Sequence, residues 1–354
     1  MKQVGLIGLP QSGKSTLFEI LMQGAGSAAP GASGRDSVGV VRVPDPRIDQ
    51  LSKLFDPKKT TYAQIQFVDS AGAGHVSARA AGKGVDPFAS VRLADALLVV
   101  VRDFQNPAVP ATNGVDAERD RRAMEAELIL ADLAIVETRI ERIEKELRIG
   151  KKQGEREHAL LVRIRTALEA EQPLRGESYD AEEMKLIRGF QLVSRKPLIV
   201  VYNRDDDGAS PPPAESASGP GSRAVALRAH LEREIVSLPA EERPAFRAEM
   251  GIEEDGLSVV IRASYELLGL IAFFTVGPDE VRAWTIRRGD KAVDAAGEIH
   301  SDLAKGFIRA EVIGWKELLD VGSHSKAREK AMLRLEGRDY EVKDGECLEI
   351  RFNK

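Results

Sequence analysis

Eight residues near the start of the chain, Gly8-Leu9-Pro10-Gln11-Ser12-Gly13-Lys14-Ser15, match the pattern G-x-x-x-x-G-K-[ST]. An apolar, β-branched run at residues 3–8 leads into them, and residues 16–22 (TLFEILM) follow with helical spacing. Strand, glycine loop and helix in that order converge backbone N–H groups and a helix N-terminus on one point, which makes a cradle for a polyphosphate. Gly8, Pro10, Gln11, Ser12, Gly13 and Thr16 then shape the loop. Lys14 is expected to reach the β- and γ-phosphates, and Ser15 to place its hydroxyl on Mg²⁺. A chance glycine-rich turn is the competing account, and the flanking strand and helix argue against it.

That unit commits the chain to an α/β fold. Residues 64–68 (QIQFV), 96–101 (ALLVVV) and 198–202 (LIVVY) read as further buried strands separated by helix-length segments, so a parallel-rich sheet with helices on its faces is expected. Asp69 follows the first of these runs in Asp69-Ser70-Ala71-Gly72, a D-x-x-G downstream of a phosphate loop. Asp69 is the expected Mg²⁺-side carboxylate. Gly72 is expected to meet the γ-phosphate through its backbone N–H, so Lys14 and Gly72 are the catalytic candidates. In the loop from Ser27 to Val38, Ser33 is a candidate for the Mg²⁺ shell, with an ordinary loop serine an equal alternative.

Asn203-Arg204-Asp205-Asp206 follows the strand at 198–202 and is similar to an N-K-x-D base-reading motif. A carboxylate at Asp206 can accept from guanine N1–H and N2–H₂, which adenine lacks. A turn that merely caps the strand competes with that reading. Ala229, in Arg228-Ala229-His230, stands where a second base-contacting loop is expected, with its backbone N–H as the contact.

The chain has 354 residues, a net charge of −5 and 30% charged residues, an ordinary globular balance that argues against coating nucleic acid by charge alone. A single cysteine, Cys347, excludes an internal disulfide and fits a cytoplasmic protein; it reads as a buried strand residue before a redox-sensitive thiol. The apolar run at 94–101 is too short to span a bilayer. No signal peptide, membrane or DNA partner is expected.

From about Glu118 the composition turns charged, and Ile129, Leu133, Val136, Ile140, Ile143 and Leu147 repeat at alternating steps of four and three. With helical stretches at 155–171 and 181–194, this reads as an inserted antiparallel helical (coiled-coil) hairpin whose seam packs within the molecule, leaving the protein a monomer. Residues 207–222 are rich in Pro, Gly, Ser and Ala and read as a loop. The expected divisions are 1–116 and 197–275 for the nucleotide-binding domain, 117–196 for the hairpin, and 276–354 for a small α+β domain. In the last of these, Arg282, Arg287, Arg288, Lys305 and Arg309 read first as a solvated face; Trp284 and His300 read as packing residues.

Long blocks of the sequence resemble the YchF group of Obg-like P-loop NTPases: GLPQSGKSTLF at 8–18, VPDPRID at 43–49, ELILADLAIVETRIERIEKEL at 127–147, IRASYELLGL at 261–270, FFTVGPDEVRAWTIRRG at 273–289 and AAGEIHSDLAKGFIRAEVI at 295–313. The resemblance implies a hairpin-interrupted nucleotide-binding domain, a C-terminal TGS domain of β-grasp type, ATP or GTP as substrate, and a ribosomal RNA partner for the C-terminal arginines. It also implies slow hydrolysis, because the position after D-x-x-G, Ala73, carries no water-orienting Gln. The chain departs from the family pattern at Gln11, where an Asn helps hold K⁺, so potassium as a cofactor is in doubt. Further departures are Arg204 and Asp206 in the base motif, the segment 29–35, and the absence of His between Gln105 and Asn113.

Overall fold

In the computed structural model, which describes residues 1–24, 31–33, 36–70, 86–111, 114–149, 154–206, 219–252 and 254–353, the apolar runs become strands. In chain order these are β1 (Gln3–Gly8), β2 (Gly31–Ser33), β3 (Asp36–Arg42), β4 (Lys59–Thr61), β5 (Gln64–Ser70), β6 (Ala96–Asp103) and β7 (Leu198–Arg204). They continue with β8 (Ser222–Leu227), β9 (Leu270–Thr275), β10 (Glu280–Arg287), β11 (Phe307–Gly314), β12 (Arg334–Glu336) and β13 (Glu346–Phe352). The chain divides into two compact units, Met1–Val41 with Gln66–Leu267, and Arg42–Ile65 with Leu268–Lys354.

The first unit is built on a sheet of order β2-β3-β5-β1-β6-β7-β8. From β5 to β8 every neighbouring pair is parallel. Parallel strands are covered on both faces, which is why β6 is an almost unbroken apolar run buried along nearly its whole length. The parallel arrangement also carries the ends of β1, β5, β6 and β7 to one edge, where open α/β sheets bind ligands.

The helix Ala117–Arg148 starts at Asp116, whose side chain accepts from Arg119 N at 2.9 Å. Its first half buries Met124, Leu128 and Ala131 against the sheet residues Val99, Val101 and Val200. From Ile129 onwards it carries the expected seam: Ile129, Val136, Ile140 and Ile143 are buried against Leu160, Leu161, Ile164 and Leu168 of the helix Glu155–Glu169. Asp132 sits between the halves, fully buried, ion-paired to Arg92 at 2.9 Å. It also accepts from Val193 N at 2.9 Å and Ser194 N at 2.7 Å. Those two bonds explain why the third helix is shorter than expected. It spans Ala181–Ile187, a 3₁₀ turn covers Arg188–Phe190, and the backbone beyond turns aside to Asp132.

The second unit begins ahead of the expected boundary at residue 276. β9 pairs antiparallel with β10, with Phe273 opposite Trp284, so residues 270–275 lie in this sheet. Residues 42–65 belong here too. β4 extends the same sheet beside β10, and Arg47, in the helix Pro46–Phe55, donates to Asp344 at 2.9 Å. The sheet order is β12-β11-β13-β9-β10-β4. Cys347 is fully buried in β13, where burial pushes its thiol up to about 12, as an inert strand cysteine requires.

Arg351 and Arg328 donate to the nearly buried Glu311 at 3.0 and 2.7 Å and hold its carboxyl at about 2, below the usual 4.5. A depressed folded-state value contributes stability above the unfolded value and loses it as pH falls towards the folded one. Glu311→Gln is therefore expected to lower the denaturation midpoint at pH 7, with the gap to the unaltered protein closing between pH 4.5 and about 2. A gap of constant size in urea titrations across that range would contradict the assignment. No helix among the described residues is long and apolar enough to cross a membrane.

Candidate functional site

β1 ends at Gly8 and the helix Lys14–Gly24 begins just beyond. The turn between them has left-handed backbone at Gln11, φ 65°, and at Gly13, φ 92°. Close approach forbids a side chain at both motif glycines. A Cβ on Gly13 would lie 2.2 Å from Asn203 Nδ2, and one on Gly8 would lie 2.8 Å from Ser12 Oγ and from the Val100 carbonyl oxygen. Ser12 is buried, and its hydroxyl has no hydrogen-bond partner among the described residues. Buried polar atoms are normally satisfied. An orphaned hydroxyl in a loop whose glycines leave no room for a Cβ fits a phosphate oxygen.

Lys14 is 6% exposed and ion-paired with Asp69 at the end of β5, so the two charges expected to face phosphate and metal already stand together. Ser15 is exposed in the first turn of the helix, and Thr16 lines the cavity described below. The donor set of a serine hydroxyl and a carboxylate, both oxygen, suits Mg²⁺. Pro10 is exposed at the loop tip. The backbone of Ser33 ends β2; its side chain, Gly72 and Ala73 lie outside the described residues.

Asn203, read as part of a base motif, has partners within the protein. It is 5% exposed; its Nδ2 donates to the Ser12 carbonyl at 3.1 Å, and its Oδ1 accepts from Ala229 N at 3.0 Å. One amide thus ties the phosphate loop to the start of the helix Ala229–Ser237. Ala229 N is accordingly spent on Asn203. Beside this stitch lies a cavity of about 350 Å³, lined by Gly13, Thr16, Phe104, Pro107, Asp206 and His230 among others. That is the size of a small-molecule pocket. Arg204 turns to Asp103 at 3.4 Å, and Asp205 accepts from Gln105 N at 3.1 Å. Asp206 accepts from Leu231 N at 3.2 Å, and its Oδ2 lies 2.7 Å from His230 Nδ1.

Two contributors were not legible beforehand. Phe104 becomes a wall of the cavity. Arg102, 6% exposed at the end of β6, donates to the Phe104 carbonyl at 3.1 Å, to the Val109 carbonyl at 2.8 Å and to Gln11 Oε1 at 3.4 Å. An oxygen already facing a buried guanidinium is a poor ligand for a second cation, so Gln11 does not fit the potassium role considered for it. The only signal for Arg102 in the sequence was a charge inside an apolar strand.

A family model for the YchF GTPase C-terminus, described as a protein of unknown function, matches residues 270–353. The ribosome-binding ATPase YchF of Bacillus subtilis is 38% identical, the match covering 99% of this chain and 98% of that protein. The protein of the same name from Escherichia coli O157:H7 is 39% identical over the same shares. The structure of the Schizosaccharomyces pombe YchF GTPase matches with a TM-score of 0.79 and 26% identity, covering 99% of this chain and 97% of that one.

Proposed function

Because the chain belongs to the YchF family, we propose that it is a Mg²⁺-dependent NTPase, slow on its own, that acts at the ribosome as a nucleotide-state switch. The observation that carries this reading is the built phosphate loop, with Lys14 and Asp69 paired at its mouth and the Ser12 hydroxyl unmet. Binding a nucleoside triphosphate lets Lys14 exchange Asp69 for the β- and γ-phosphates, while Asp69 and Ser15 hold the metal. Mg²⁺, when bound, neutralises charge on the β- and γ-oxygens. Gly13 lets the loop close over the phosphates, and Asn203 fixes that loop against the base pocket. Ala73 cannot orient an attacking water as a Gln would, which makes intrinsic turnover slow. Gly72 and Ser33 keep their proposed places at the γ-phosphate and the metal. The C-terminal unit is read as the TGS domain, with Arg282, Arg287, Arg288, Lys305 and Arg309 towards ribosomal RNA phosphates, in the cytoplasm.

Single-turnover hydrolysis of radiolabelled ATP and GTP, with and without ribosomes, tests the reading. Cleavage that is slow alone and faster with ribosomes is expected. A second reading, a nucleotide-gated ribosome factor that does not hydrolyse, is favoured by Ala73 and by Gln11 facing Arg102. It prevails if both nucleotides bind and neither is cleaved under either condition.

A further inference from the structure

Among the described residues the proposed base pocket contains one carboxylate in a position to read guanine, and a neighbouring side chain holds it. Guanine presents N1–H and N2–H₂ on one edge, so recognition by a carboxylate needs both oxygens turned to that edge together. Adenine has no such pair of donors. Among the acids lining the cavity, Asp205 has both oxygens 3.1 Å from Gln105 N. That leaves Asp206. Its Oδ1 accepts from Leu231 N at 3.2 Å, its Oδ2 lies 2.7 Å from His230 Nδ1, and its main-chain oxygen accepts from Arg228 Nη1 at 3.3 Å. All three partners come from residues 228–231, at the start of the helix Ala229–Ser237. A carboxylate has about four lone-pair sites, so capacity alone would leave room for a base. Direction is what counts: both oxygens are drawn towards the helix, and guanine must take Oδ2 from His230 to be read by two bonds.

The Leu231 donor is backbone and is kept when side chains are changed, whereas His230 is a removable side chain, 59% exposed. We propose that His230 is the specificity-determining residue of the base pocket: by holding Oδ2 of Asp206 it withholds the carboxylate from guanine and leaves the pocket to adenine. This rests on the nucleotide-binding reading above and adds the side chain that sets the choice between the bases.

The test is a titration of the full chain with Mg²⁺ and fluorescent ATP and GTP analogues, read as the ratio of the two dissociation constants. The unaltered protein is expected to favour the ATP analogue. His230→Ala is expected to move the ratio about tenfold towards GTP, the worth of one hydrogen bond to a charged group. In the background of Asp206→Asn, the same truncation should leave the ratio where it is, because the histidine acts through that carboxylate. A ratio unmoved by His230→Ala, or moved equally in both backgrounds, overturns the proposal while leaving nucleotide binding standing. Failure of the unaltered protein to bind either analogue overturns the nucleotide reading itself, and is told apart by the absence of any ratio.

Discussion

Lys14→Ala is expected to cut affinity for both ATP and GTP by about a hundredfold or more, the scale of removing a charge-assisted hydrogen bond to phosphate in a desolvated site. Two effects add. The ammonium that meets the phosphates is gone, and without Mg²⁺ Asp69, with only 14% of its side chain exposed, is left as an uncompensated negative charge at the mouth of an anion site. The second effect distinguishes this variant from Lys14→Ala with Asp69→Asn, which should recover part of the affinity in titrations without Mg²⁺, and lose that gain when Mg²⁺ is present because Asp69 is the proposed metal-side carboxylate. Calorimetric titration of all three proteins checks this, with thermal melting to confirm that each is folded. Binding by the single variant as tight as the original would remove the phosphate loop from the account.

Gly13→Ala is expected to weaken both nucleotides by a comparable factor, for a different reason. The backbone there has φ 92°, where an alanine costs about 1–3 kcal/mol. The new Cβ would also sit 2.2 Å from Asn203 Nδ2. Moving Asn203 aside leaves the Ser12 carbonyl and the Ala229 N–H without the bonds they make now, each worth about 1–3 kcal/mol when buried. Asn203→Ala alone should show the second part without the first. Because the two residues share one contact, the double variant should be weakened by less than the sum of the singles. Strict additivity in the measured affinities would mean that the amide does not tie the two loops together.

The phosphate loop was readable because its constraints are local: glycine spacing, a preceding apolar strand and a following helix are all written within twenty-odd residues. Asp69 was readable for a similar reason, as a charge ending a buried run. The hairpin seam was readable from its period. What escaped depends on which distant segment a strand chooses as its neighbour. Residues 43–49 carry a clear helix start, Asp45 followed by Pro46, but nothing in them says that β4 will pair with β10. β9 is as apolar as any strand of the larger sheet, so hydrophobicity could not assign it. In the candidate site, Asn203 and Asp206 were read as a base motif, yet their partners Ser12, Ala229 and His230 come from segments that only the sheet order brings together. Gly72 and the side chain of Ser33 keep their roles as proposals.

The helix Ala117–Arg148 serves two layers at once, lying on the sheet as far as Asp132 and running free of it afterwards. From that buried aspartate to the helix end is sixteen residues, about 24 Å at the rise of an α-helix. Mechanically it is a rod clamped at a fulcrum beside the nucleotide-binding sheet. A tilt of about 5° at the clamp displaces the tip by about 2 Å, so a movement too slight to disturb packing around Asp132 is enlarged into one that a partner touching the far end of the hairpin would register.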